Sequence, residues 1–153
     1  MLTLPRFEWR QPRSVAETLE QRYRRRGKQL RNRSTGRVLR HMIVVHQFGL
    51  AADMDALRPI ARRAGVQILE DAACALGTRH GKKHVGLDGL AGCLSFHPRK
   101  SITTGEGGMV ITRNAALARK IRMLRDHGSA LSDHARHAKG VMSLPDFTIF
   151  RFN

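Results

Sequence analysis

The chain has 153 residues, enough for one domain with a buried core, and carries a formal charge of +16 from 28 Lys and Arg against 12 acids. It is 41% hydrophobic but 5% aromatic, and no apolar run is long enough to cross a bilayer. The start MLTLPRFEWRQPR has no secretory apolar core, and two distant cysteines do not suggest a disulfide scaffold; both speak for a cytoplasmic protein with reduced thiols.

Residues 1–40 hold 12 of the basic residues and 3 of the acids. The stretch VAETLEQRYRRRGKQL puts Val15, Leu19 and Tyr23 four apart, a thin stripe for a basic helix, and RNRSTGR reads as flexible. This predicts a poorly ordered basic segment over 1–40, followed by the folded part at 41–153. A basic balance of this size also fits nucleic-acid binding. The run RYRRRGK lacks interleaved aromatics and any base-reading motif, so a solvated basic tail is the simpler expectation.

From residue 41 the pattern is regular. HMIVVH (41–46) is a buried strand by its β-branched run, and Asp53 is placed to cap a helix over MDALRPIARRAG that Gly65 ends. Pro59 falls inside that helix and is expected to disturb it. VQILED (66–71) is a second strand, so the three elements make a right-handed βαβ unit with parallel strands. A helical turn and a Gly-punctuated loop follow in AACALGTRHGKKHVGLDG. LAGCLSF is a third strand, and GMVIT (108–112) returns antiparallel. Asn114 caps a last helix, AALARKIRMLRDHG, which Gly128 closes. The expected fold class is α/β, a mostly parallel sheet with flanking helices and one antiparallel hairpin strand.

Ligands of open parallel sheets collect at the carboxyl ends of the strands. His46 and Gln47 lie at that end of the first strand and Glu70 and Asp71 at that of the second. The third strand carries Ser95 near its end, and beyond it come Lys100 and a turn rich in glycine at 105, 107 and 108. Singly, each residue has an ordinary structural explanation: Asp71 as a helix cap, Lys100 as a solvated loop lysine. Together they match the needs of pyridoxal 5'-phosphate, which takes a lysine amine on its aldehyde, a carboxylate at its pyridine nitrogen and a hydroxyl with backbone N–H groups at its phosphate. RHGKKH and HARH do not assemble into a paired ligand set, so no metal is expected. GTRHGKK is one residue short of a phosphate-binding P-loop.

HQFGLAADMDAL, EDAACALGTRHGKKHVG, GCLSFHPRKSITTGEGGMVIT and LRDHGS resemble, in order and spacing, the DegT/DnrJ/StrS family of sugar-nucleotide aminotransferases over roughly residues 41–130, with a weaker echo in LPDFTIFRFN. The resemblance implies the fold-type I large domain of the aspartate aminotransferases, incomplete here and truncated to its central part. It implies that Lys100 forms the Schiff base and shuttles a proton, that Asp71 pairs the pyridinium nitrogen, and that Ser95 binds phosphate. Asn153 falls where the family reaches the phosphate of a neighbouring subunit, and Cys74 stands where many relatives have Gln or His against the cofactor. The implied reaction moves an amino group from glutamate to a keto sugar nucleotide in amino-sugar or polysaccharide biosynthesis, in a homodimer. Two other readings stand beside it: a catalytically silent remnant of that family, and a basic nucleic-acid-binding module.

Overall fold

The structure, a computed structural model, describes residues 12–125 together with Ala138. The chain divides into two compact units, residues 1–113 and 114–153. The first opens with helix α1 (Pro12–Arg22) and an antiparallel meander of β1 (Tyr23–Arg26), β2 (Gln29–Asn32) and β3 (Val38–Leu39). Its main sheet is built from β4 (His41–Val45), β5 (Gln67–Asp71), β8 (Ala91–Ser95) and β9 (Gly108–Ile111), in the order β4-β5-β8-β9. Helix α2 (Met54–Ala64) connects β4 to β5, and a small hairpin of β6 (Arg79–His80) and β7 (Lys83–His84) lies between β5 and β8. In the second unit the described residues form α3 (Ala115–Arg125), whose first turn is capped by Asn114 Oδ1 accepting from Leu117 N. The fold is α/β: β4, β5 and β8 run parallel and β9 returns antiparallel.

Alternation along the strands divides the sheet into two faces. Met42 and Val44 of β4, Ile68 and Glu70 of β5 and Gly92 and Leu94 of β8 share one face by register and are buried. That face packs on α2, whose Leu57, Ala61 and Ala64 join the same apolar cluster as Met42, Val44 and Ile68. The opposite face carries Val45, Asp71, Cys93 and Ser95, none of them fully buried.

Helix α2 starts and stops as its sequence predicts. Asp53 Oδ1 accepts from Ala56 N at 3.0 Å, and Gly65 ends the helix with φ 68°. Pro59 does not interrupt it; the helix runs unbroken to Ala64. Proline withholds only its own N–H, which would have met the Asp55 carbonyl in the first turn.

Residues 12–39 differ from the poorly ordered segment expected there. Val15 and Leu19 of α1, Tyr23 of β1, Leu30 of β2 and Leu39 of β3 are buried in one cluster with Met42, Leu57 and Ile68. The thin stripe suffices because the meander completes it, so α1 and the three strands share one core with the βαβ unit. RNRSTGR is a formed turn: Asn32 Oδ1 accepts from Ser34 N and Thr35 N, and Gly36 adopts φ 69°.

Candidate active site

Strand β5 sends its two terminal acids to opposite faces. Glu70 has the parity of Ile68 and turns inward, where its carboxylate accepts four hydrogen bonds. Oε2 receives His46 Nε2–H at 2.8 Å and Gly86 N at 2.7 Å; Oε1 receives Asp88 N at 2.8 Å and Gly89 N at 2.5 Å. Ala52 N donates to His46 Nδ1 at 3.1 Å, so that nitrogen carries a lone pair and the ring proton sits on Nε2, facing Glu70. Burial alone would push the Glu70 carboxyl up. The bond from His46 and those from Gly89 and Gly86 outweigh it and hold the group below the usual carboxylate range. One buried anion thereby ties the turn after β4 to the loop that leads into β8.

Asp71 lies on the other face, at the carboxyl end of β5. Its register partners are Val45 and Cys93, and the parallel pairing continues past it, with His46 N donating to Asp71 O and Ala72 N to Cys93 O, each at 2.9 Å. Asp71 Oδ1 accepts from Ala73 N at 3.0 Å, which fixes the carboxylate over the turn that follows. Ser95 ends β8 two residues beyond Cys93, on the face that Asp71 occupies. Its hydroxyl oxygen accepts a long bond from His97 N, 3.4 Å. Asp71 and Cys93 are register partners, and burial together with the Asp71 charge pushes the Cys93 thiol up.

Lys100 sits in a loop whose two ends are sewn together. Phe96 N donates to Gly107 O and Thr104 N to Phe96 O, while Thr103 Oγ1–H also donates to Phe96 O. The turn needs its glycines: Gly105 and Gly107 adopt φ 83° and 146°, and a Cβ on Gly108 would stand 2.8 Å from Leu94 O. From this loop Lys100 Nζ reaches across to Cys74 Sγ at 3.0 Å. Cys74 belongs to a turn anchored by buried Ala72 and Ala75, with Ala75 N donating to Ala72 O. Beside that turn, Thr78 Oγ1–H donates to Gly49 O at 2.7 Å, and neighbouring Phe48 holds an unusual φ of 54°.

Among the proposed site residues, then, Lys100 and Cys74 are in contact, and Asp71 and Ser95 share a face at the same strand ends. Asn153 lies outside the described residues, as do Gly128, HARH and LPDFTIFRFN. Among the described residues no group of acids, histidines and cysteines is arranged to hold a metal ion. A cleft of about 460 Å³ elsewhere has Leu19, Leu30 and Ile60 in its wall and Arg24, Arg33 and Arg63 beside them. Its lining includes no lysine, serine, cysteine or histidine, so the strand ends hold the reactive groups. The inward role of Glu70 was missed in reading the sequence, which placed it with Asp71 at the edge. Its parity with Ile68 is the signal that could have found it.

In an α/β sheet with parallel strands, the carboxyl ends of those strands, where Asp71 and Ser95 stand, are the edge at which ligands bind. Residues 24–144 match the model of the DegT/DnrJ/EryC1/StrS aminotransferase family, and the chain belongs to that family. Among solved structures it is similar to Helicobacter pylori PseC, an aminotransferase involved in the biosynthesis of pseudoaminic acid, at 32% identity over 61% of this chain and 25% of that one, with a TM-score of 0.58. It is similar to DesI, solved in the presence of its TDP-sugar product, at 35% identity over 62% of this chain and 24% of that one, TM-score 0.58. Similarity to S. venezuelae DesV, solved in complex with a ketimine intermediate, reaches 43% identity over 61% of this chain and 26% of that one, TM-score 0.57. The chain thus spans about a quarter of the length of these relatives.

Proposed function

We propose that the chain is the cofactor-binding part of a pyridoxal-phosphate-dependent aminotransferase, with glutamate as amino donor and a keto sugar nucleotide as acceptor. The observation that carries this reading is the convergence of Lys100 and Cys74, 3.0 Å apart, on the edge where Asp71 and Ser95 end their strands. The donor set fits the cofactor: an amine for its aldehyde, a carboxylate for its ring nitrogen and a hydroxyl for its phosphate. Family membership, and the similarity to DesI, solved with its TDP-sugar product, and to DesV, solved with a ketimine intermediate, support the same chemistry.

When bound, pyridoxal phosphate supplies a carbonyl carbon and a ring that accepts electron density. Lys100 Nζ would hold that carbonyl and would serve as the group that moves a proton between cofactor and substrate carbons. Ala73 N occupies Asp71 Oδ1, so Oδ2 is the oxygen that would hold a proton on the ring nitrogen. Ser95 Oγ accepts from His97 N and keeps its own proton to donate to phosphate. By the family resemblance, Asn153 would serve the phosphate site of a second subunit in a homodimer. Residues 41–153 supply these cofactor groups, with α1 and the meander packed behind the sheet.

Dialysis against pyridoxal phosphate followed by borohydride reduction and peptide mass mapping tests the assignment. One cofactor per chain is expected, fixed to the peptide containing Lys100 and lost in Lys100→Ala. Labelling spread over several surface lysines, or unchanged stoichiometry in Lys100→Ala, would overturn it.

A further inference from the structure

We infer that Cys74 is a second nucleophile for the carbon that Lys100 binds, capping it reversibly as a sulfur adduct; this rests on the cofactor reading above. Cys74 Sγ lies 3.0 Å from Lys100 Nζ and has no other hydrogen-bond partner among the described residues. Both groups are held from their backbones. Ala72 and Ala75, 0% and 1% exposed, pin the turn under Cys74, while the bonds to Phe96 close the loop under Lys100. A carbon joined to Nζ is one bond from an atom that the sulfur already touches, so neither backbone has to move for sulfur to meet it. The thiol is also exposed, and thiolate sulfur is intrinsically a strong nucleophile.

The step balances without an oxidant or a reductant. Cys74 sulfur forms a bond to the carbon of the C=N group, the π bond of that group breaks, and the thiol proton ends on the lysine nitrogen. Expulsion of the thiol reverses the step. The carbon becomes tetrahedral and its conjugation with the pyridine ring is lost. A Gln or His at position 74 would hydrogen-bond there but would not form this bond. The cap shields a reactive carbon from stray amines until the amino donor displaces it.

The test is an absorbance spectrum of the full chain loaded with pyridoxal phosphate, without borohydride, beside Cys74→Ser and Cys93→Ser. The wild type and Cys93→Ser are expected to absorb mainly at the shorter wavelength of an unconjugated adduct. Cys74→Ser is expected to show the long-wavelength band of a conjugated C=N group. Titration with a disulfide reagent under native conditions should find one reactive thiol fewer after loading in the wild type, and no such loss in Cys74→Ser. Identical spectra for wild type and Cys74→Ser, with both thiols still titratable, would overturn the cap while leaving Lys100 as the cofactor lysine. A shift abolished by Cys93→Ser alone would assign the sulfur elsewhere and overturn it too. If borohydride fixes no cofactor to Lys100 in either protein, both this inference and the cofactor reading fall.

Discussion

Asp71 and Cys93 are register partners on the half-open face of the sheet, and the acid's charge helps to raise the thiol. That coupling gives a probe of the carboxylate that needs no cofactor. With the thiol raised, the thiolate that reacts with iodoacetamide is scarce at neutral pH. Asp71→Asn removes the charge but keeps the shape, so Cys93 should alkylate faster at the same pH, measured by peptide mass mapping with Cys74 as the internal reference. An unchanged rate would mean that the Asp71 side chain points away from Cys93, and with it from Ser95. At this scale the positions were legible in advance: Asp71 and Ser95 end their strands and Lys100 precedes a glycine turn, as their sequence places them. The contact between Lys100 and Cys74 was not, because it joins residues 26 apart through two loops whose closure depends on Phe96 and Ala72.

At the scale of elements, β5 does two jobs by alternation, and Glu70 does the one that holds the edge together. Glu70→Gln would put an amide N–H₂ on an oxygen position that now receives donors from His46 and Gly86. The imidazole cannot yield by changing tautomer, since Ala52 N already fills Nδ1. A buried donor left facing donors costs about 3 kcal/mol, to be seen as a lower denaturation midpoint with the slope unchanged. The pH dependence follows from the direction of the shifts. Glu70 and Asp88 both lie below their ordinary values in the folded chain. For Asp88, burial raises it, but the bond from Lys83 and the charges of Arg58, Lys83 and His80 lower it further. Their contribution is complete above the ordinary carboxylate range and is lost as pH falls through the folded values. Wild type should therefore lose stability in acid more steeply than Glu70→Gln, as read from urea midpoints between pH 6 and 3. Strands β4, β5, β8 and β9 and helix α2 were all legible, since each carries a strong period or a cap. The β6–β7 hairpin was not: two pairs of residues around Gly81 leave no periodicity to read.

The charge of the whole molecule is less free than its total suggests. Arg25 donates to the Arg63 carbonyl, Arg31 to the Gly36 carbonyl and Arg33 to the Glu20 carbonyl, so part of the basic N-terminal run holds the meander to itself, to α1 and to α2. These bonds explain how a stretch that reads as a solvated tail becomes structure. Composition measures charge, whereas the fold uses the guanidinium groups as donors to carbonyls in the last turns of α1 and α2 and in the turn between β2 and β3. The family model, beginning at residue 24, also takes in residues 24–40 of this stretch. If α1 and the meander belong to the core rather than decorate it, truncating a side chain in α1 must weaken the parallel sheet. Leu19→Ala removes a side chain packed in the same cluster as Met42, Leu57 and Ile68 and should cost about 2–4 kcal/mol. Hydrogen exchange locates the effect. Amides of β4 and β5 should lose protection together with those of α1, by the same free energy, when exchange proceeds by global unfolding. Loss confined to residues 12–39, with β4 and β5 protected as before, would show that the N-terminal segment opens by itself and that the core closes without it.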